Sequence, residues 1–307
     1  MGSEIGFIGF GRMGANMVER MLDKRSIRVV GFNRHPEPVQ RLVPKGVVPA
    51  KDVKDLVKKL KAKPKVIWMM LPSGDVTEQH FKLVLSLLKK GDIIIDGANS
   101  NFHDSIRRHE LARKKGIGML DVGVSGGLVG AKRGYAMMAG GSRKVYDHCR
   151  PIFDAIGFEQ GYDLVGEQGG SGHYVKMIHN AIEYGMMQAI AEGFDLLQKG
   201  RYKNLDLKRI SHIWNHGTIV SGFLMEMAEQ ALSKDAKLGY LAPFVEDNGE
   251  GKWSAVEAME FSVPFMANTY ALHARYISRD PDSFAFRMLA AIRNEFGGHA
   301  IKEKKQR

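Results

Sequence analysis

The chain reads as an α/β protein: a doubly wound parallel sheet in its first half, an all-helical second half and a short tail. Three observations lead there. The motif Gly9-Phe10-Gly11-Arg12-Met13-Gly14 (G-x-G-x-x-G) lies between a strand-like run and a helix-like one. Short apolar runs then alternate with amphipathic helical patterns as far as Gly166. Beyond that point only long helical patterns appear.

Taken in order, Glu4 to Gly9 predicts a strand and Asn16 to Leu22 a helix. Of the glycines between them, Gly9 allows the tight turn. Gly11 lets backbone approach a pyrophosphate, and Gly14 lets helix and strand pack closely. The helix N-terminus adds positive potential, so this context predicts a Rossmann-type dinucleotide site. The next strand, Ile27 to Phe32, runs into Asn33-Arg34-His35. A site for NAD would carry an acidic residue there for the ribose hydroxyls. Asn33 followed by a cation predicts instead the extra 2′-phosphate of NADP, gripped by Arg34.

Val66 to Leu71 predicts a buried strand ending at Pro72-Ser73, and Thr77 to Lys89 a helix. Ile93 to Asp96 is a strand that ends in Gly97-Ala98-Asn99-Ser100, and His103 to Lys115 a helix. Met119 to Val124 is a strand that runs into Ser125-Gly126-Gly127. In such sheets ligands bind beyond the carboxyl ends of the strands, so Pro72-Ser73, Asn99 and Ser125 to Gly127 are expected to share one rim. Tyr135 to Gly140 reads as a further strand and Val145 to Ile156 as a helix. Helices are then predicted over His173–Lys199, Asp206–His216, Ser221–Ser233, Val256–Arg279 and Ser283–Asn294, with a loop from Pro243 to Lys252.

Composition narrows the function classes. A chain of 307 residues is long enough for two domains. One cysteine, Cys149, excludes an internal disulfide and suits a reducing interior. No apolar run approaches the ~18 residues of a membrane span, and the chain opens directly on a strand-like segment, so the expected compartment is the cytoplasm. The net charge is +11. The lysines of Lys54 to Lys65 interleave with Leu56 and Leu60, as on a solvated helix face, and no nucleic-acid-binding motif accompanies them. The positive field suits attraction of an anionic metabolite rather than a nucleic acid or a membrane.

The sharpest feature is the run from Gly169 to Gly185. Lys176, His179, Asn180 and Glu183 fall at i, i+3, i+4 and i+7, one face of a helix. The other faces carry Val175, Met177, Ile178, Ala181, Ile182 and Met186, so the helix is expected to be buried, and its polar stripe must then find partners. A lysine and a carboxyl in a dry site suit oxidation of an alcohol: desolvation lowers an amine toward the range of a general base. No His, Cys and carboxylate spacing is expected to hold a metal.

These motifs together resemble the 6-phosphogluconate dehydrogenases, the decarboxylating enzymes of pentose-phosphate metabolism and gluconate use. The resemblance rests on Gly9 to Gly14, Asn33-Arg34, Gly97 to Ser100, Asp121 to Gly127, Lys176 to Tyr184, Gly251-Lys252-Trp253 and Arg293 to His299. It covers essentially the whole chain and is closest to the shorter-chain branch of the family. It implies that Lys176 is the general base and later acid, and that Glu183 protonates the enediol. It implies that Asn99, Ser125, Gly126, Gly127, His179, Asn180 and Tyr184 line the sugar acid. Arg275 looks like the phosphate-binding arginine. Arg293 and His299 look like the pair that a partner subunit's tail contributes, which implies a homodimer or homotetramer with tail exchange. The cofactor it implies is NADP, with NAD possible, bound by Gly9, Gly11, Arg12, Met13, Gly14, Asn33, Arg34, Leu71, Pro72 and Asn99. The expected division is residues 1–166 for the cofactor, 167–293 for substrate and dimerisation, and 294–307 for the tail. One departure stands out. Where the long enzymes carry a lysine and a threonine ahead of Gly-Lys-Trp, this chain has Asn248 and Glu250, and a carboxylate beside a phosphate would repel it. The alternative is a β-hydroxyacid dehydrogenase acting on an unphosphorylated sugar or hydroxy acid.

Overall fold

The computed structural model describes residues 3–23, 27–297 and 300–302. They form two compact units, Met1–Asn180 and Ala181–Arg307.

The first unit is built on one eight-stranded sheet. Its strands are β1 (Ser3–Ile8), β2 (Ile27–Phe32), β3 (Val48–Pro49), β4 (Val66–Met69), β5 (Ile93–Asp96), β6 (Gly118–Ser125), β7 (Tyr135–Gly141) and β8 (Gly157–Gly166). They lie in the order β3-β2-β1-β4-β5-β6-β7-β8. The helices α1 (Arg12–Asp23), α2 (Glu37–Gln40), α3 (Val53–Lys59), α4 (Asp75–Leu87), α5 (Phe102–Lys114), α6 (Gly130–Arg133) and α7 (Arg143–Ile156) connect them. Strands buried on both faces supply residues alternately to two cores. Phe7, Trp68 and Ile95 pack with Met17 of α1 and Phe153 of α7 on one face. Ile8, Ile67 and Ile94 pack with Leu56 of α3 and Phe81 of α4 on the other.

The predicted α/β class holds, with three refinements. β7 pairs antiparallel with β6, so the sheet is mostly rather than wholly parallel. The link from Ser125 to Tyr135 contains only the single turn α6, and a parallel return needs a dozen residues or more. The strand β8, absent from the predicted elements, pairs parallel with β7. The two-residue β3 at the far edge is too short to leave a periodicity.

The helix α8 (Ser171–Lys199) begins in the first unit and continues into the second. The second unit adds α9 (Leu207–Asn215), α10 (Phe223–Lys234), α11 (Glu250–Glu260), α12 (Met266–Arg279) and α13 (Phe284–Gly297). The single helix expected over Val256–Arg279 is two. Ser262 takes a left-handed φ of 55°, and Pro264 follows without an N–H to continue the ladder. The helix also starts earlier than expected, at Glu250, inside the predicted Pro243–Lys252 loop. The last helix runs on through Gly297, past its expected end at Asn294. Burial of α8 is one-sided. Met177 and Ala181 are each 1% exposed, whereas Val175, Ile182 and Met186 face solvent in this chain. Apolar periodicity reports that a face is covered in the native protein without saying by what. Among the described residues, no helix is long and apolar enough to cross a membrane.

Candidate functional site

Parallel pairing brings the strand ends of the first unit level with one another. Ile8 pairs in register with Phe32 and Met69, and Met69 with Asp96. The loops that follow therefore share one edge, as the sequence predicted. Gly9 turns there with φ 100°, and a Cβ on it would fall 2.1 Å from the Met70 carbonyl oxygen. A Cβ on Gly14 would fall 2.1 Å from the Gly9 carbonyl oxygen, so both glycines are demanded by the chain's own packing. Gly11 is not: a Cβ there would meet nothing within 4 Å. The fold itself does not require glycine there, and the open space is compatible with close backbone approach by a pyrophosphate at the start of α1. Arg12 is exposed and Met13 half-buried beside it.

After β2, the Asn33 side chain accepts from the Phe10 N–H at 2.9 Å and donates to the His35 carbonyl at 2.8 Å. Asn33 thus ties the glycine turn to the loop that presents Arg34. The Arg34 guanidinium is exposed next to His35. Leu71 is half-buried, and the Pro72 carbonyl accepts from Thr77 Oγ1 at the start of α4.

At the end of β5, Asn99 adopts a φ of 50° and brackets one residue of β6. Its Oδ1 accepts from Val124 N at 2.9 Å and its Nδ2 donates to Val124 O at 3.1 Å. This clamp sets the direction in which the chain leaves β6 for half-buried Ser125, Gly126 (φ 122°) and exposed Gly127 (φ 50°). Behind it lies a buried ion pair: Arg108 Nη1 donates to Asp96 Oδ2 at 2.9 Å and to Ser100 Oγ at 3.0 Å.

Lys176 enters through α8. Asp121 Oδ1 accepts from Gly170 N and Oδ2 from His173 N, both at 2.8 Å, which caps the helix. His109 Nε2 donates to the same carboxylate at 2.8 Å. Burial opposes ionisation of Asp121. The His109 hydrogen bond, the positive fields of His173 and His109 and the His173 N–H outweigh it and hold its pKa at about 2. The helix then lies directly on the sheet. A Cβ on Gly123 would fall 2.2 Å from Lys176 Cβ, and one on Gly172 would fall 2.3 Å from the Asp121 carbonyl oxygen. Lys176 is only 4% exposed, and its Nζ donates to Asn180 Oδ1 at 2.6 Å. Half-buried His179 places Nδ1 2.9 Å from the same oxygen.

In the second unit, Glu183 is half-buried. Buried Tyr184 donates from its hydroxyl to Asn248 Oδ1 at 2.8 Å, and burial pushes its phenol pKa up. The Arg275 guanidinium stacks 3.4 Å from the Tyr184 ring centroid, with one arm on the Glu246 carbonyl at 2.8 Å. The Asn248 amide donates to Glu250 Oε2 at 2.6 Å. Glu250, 3% exposed in the first turn of α11, is thus tied into the fold through Asn248, and a Cβ on Gly251 would meet the Tyr184 ring at 2.7 Å. Arg293 is exposed on α13, and His299 lies outside the described residues. Asp121 and Gly123 stand in the sequence only as part of the Asp121 to Gly127 motif, and Gly172 only within the run from Gly169 to Gly185, with no role of their own. A glycine inside an apolar strand was the available signal for Gly123.

Comparison with known proteins agrees with this geometry. Residues 4–166 match the family described as the NAD binding domain of 6-phosphogluconate dehydrogenase. Residues 172–306 match the 6-phosphogluconate dehydrogenase C-terminal domain. The chain is 39% identical to the NAD(+)-dependent, decarboxylating 6-phosphogluconate dehydrogenase of Haloferax volcanii, over 98% of this chain and 99% of that one. It is 36% identical to 6-phosphogluconate dehydrogenase, decarboxylating 2, of Saccharomyces cerevisiae, over 94% of this chain and 61% of that one. Among solved structures, Plasmodium falciparum 6-phosphogluconate dehydrogenase superposes with a TM-score of 0.82 at 30% identity, over 99% of this chain and 67% of that one.

Proposed function

The chain belongs to the 6-phosphogluconate dehydrogenase family, and on that premise we propose that it converts 6-phospho-D-gluconate to D-ribulose 5-phosphate and carbon dioxide, in the cytoplasm, while reducing NADP. The observation that carries this reading is Lys176. It is buried against Gly123 with its amine on Asn180 Oδ1, on the same helix that bears Glu183 two turns on. Lys176 takes the proton of the substrate's secondary alcohol. When bound, the nicotinamide supplies the hydride acceptor. Loss of carbon dioxide from the resulting β-keto acid leaves negative charge on the keto oxygen, and the protonated Lys176 amine stabilises it there. Glu183 then protonates the first carbon of the enediol. Asn99, Ser125, Gly126, Gly127, His179, Asn180 and Tyr184 line the sugar acid, and Arg275 holds its phosphate.

The choice of NADP rests on the Asn33-Arg34 pair, where a cation stands in place of an acidic residue. A homodimer or homotetramer is supported by exposed apolar side chains on helices of this chain, Ile182 and Met186 on α8 and Phe284, Leu289 and Ile292 on α13. Arg293 and His299 then reach a neighbour's site. The test is direct. Purified protein mixed with 6-phosphogluconate is assayed with NADP and with NAD, following reduced cofactor and released carbon dioxide. Reduction without carbon dioxide, or no reduction, overturns the proposal.

A further inference from the structure

No metal set was expected from the sequence, yet α9 and α10, which carry none of the candidate site residues, bring two histidines and a carboxylate together. His212 and His216 are spaced i, i+4 across the end of α9, the spacing that places two imidazoles on one helix face. Their ring centroids are 4.3 Å apart. Glu229 of α10 completes the group: one ligand atom from each of the three lies within 4.8 Å of the others. All three border a surface cleft of about 670 Å³.

The surrounding hydrogen bonds prepare these groups for coordination. His216 Nδ1 lies 2.7 Å from the His212 carbonyl oxygen, to which it must donate, and this leaves Nε2 as the nitrogen available to a metal. Asn215 Nδ2 donates to Glu229 Oε2 at 2.9 Å and orients the carboxylate. Glu229 Oε1 lies 2.7 Å from His212 Nδ1.

The geometry points to a binding site for a divalent transition metal, zinc or a similar borderline ion, formed by His212, His216 and Glu229 with the remaining position open to water. Bonds of ~2.0–2.1 Å put tetrahedral ligand atoms about 3.3 Å apart. The three groups must therefore close by about 1.5 Å at most, within reach of rotamer changes in side chains that sit at the surface. Two imidazoles among three protein ligands disfavour magnesium and calcium, which take oxygen shells. The bound ion would staple α9 to α10 across the turn between them.

The test uses the untagged full chain after chelator treatment. Zinc chloride is titrated by calorimetry, with magnesium chloride as control, and the unfolding temperature is followed with each. One equivalent of zinc and none of magnesium is expected, with the unfolding temperature raised by zinc alone. His212→Ala and His216→Ala are each expected to weaken zinc by at least about 10- to 100-fold and to abolish the thermal shift. His148→Ala, at an exposed histidine elsewhere, should change neither. Circular dichroism confirms that the variants are folded. Zinc affinity unchanged in His216→Ala, or lost equally in His148→Ala, overturns the site.

Discussion

The amine of Lys176 and the amide oxygen of Asn180 are joined at 2.6 Å across one turn of α8, and His179 Nδ1 lies 2.9 Å from the same oxygen. A lysine that is 4% exposed needs such a partner. In the proposed reaction the partner also fixes where the amine points. Lys176→Ala is expected to lower kcat by roughly 10²- to 10⁴-fold, with cofactor binding retained by fluorescence titration. Asn180→Ala keeps the amine but frees its direction, so a smaller loss in kcat is expected. Turnover unaffected by the lysine substitution would remove it as the base.

The cofactor prediction concerns Arg34. Its guanidinium is exposed on a loop held to the glycine turn by Asn33. If it grips a 2′-phosphate, Arg34→Ala costs about 1.5–3 kcal/mol toward NADP, roughly 10- to 100-fold in kcat/KM, and leaves NAD nearly unchanged. Equal losses for the two cofactors would show that the side chain does not read that phosphate.

How much of this was legible in the sequence divides along physical lines. The glycine turn, the level strand ends and the polar stripe of α8 follow from local pattern, because backbone freedom and helical period are properties of neighbouring residues. The antiparallel β7 follows from a connection too short to cross over, and it was missed because alternation alone was weighed. The close approach at Gly123 depends on a residue far along the chain, Lys176, and no local period encodes it. Likewise the bond from Asn248 to Glu250 depends on side-chain placement that no sequence period encodes.

Glycine at position 123 makes a sharp test of that approach. A methyl group there would fall 2.2 Å from Lys176 Cβ and 2.9 Å from its Cγ, and the backbone of α8 must move to admit it. Gly123→Ala is expected to cost about 1–3 kcal/mol of stability and to lower kcat, because the displaced residue is the proposed base. Denaturant unfolding and steady-state kinetics on one preparation separate the two effects.

The proposed role of Arg275 is to hold the substrate's phosphate. Stacked on Tyr184 and tethered to the Glu246 carbonyl, it is pre-oriented with donors to spare. Arg275→Ala is expected to raise KM for 6-phosphogluconate by at least about tenfold, the worth of a charge-assisted bond, while changing turnover of plain gluconate far less. A parallel loss on both substrates would assign the arginine to support of Tyr184 instead.

Asp121 links stability to pH. Its folded pKa of about 2 lies below the ordinary 3.8, so the unfolded chain binds its proton first as pH falls. Its contribution, on the order of 2 kcal/mol, is therefore complete above about pH 5 and is lost as pH drops through 3.8 toward 2. Asp121→Asn keeps the size of the side chain but removes the charge that His109 and the first turn of α8 depend on. The variant is expected to unfold at lower urea concentration at pH 7, and its gap from the wild type should narrow as pH falls below 4. A gap independent of pH between 7 and 3 would mean that the carboxylate charge does not hold the helix start in place.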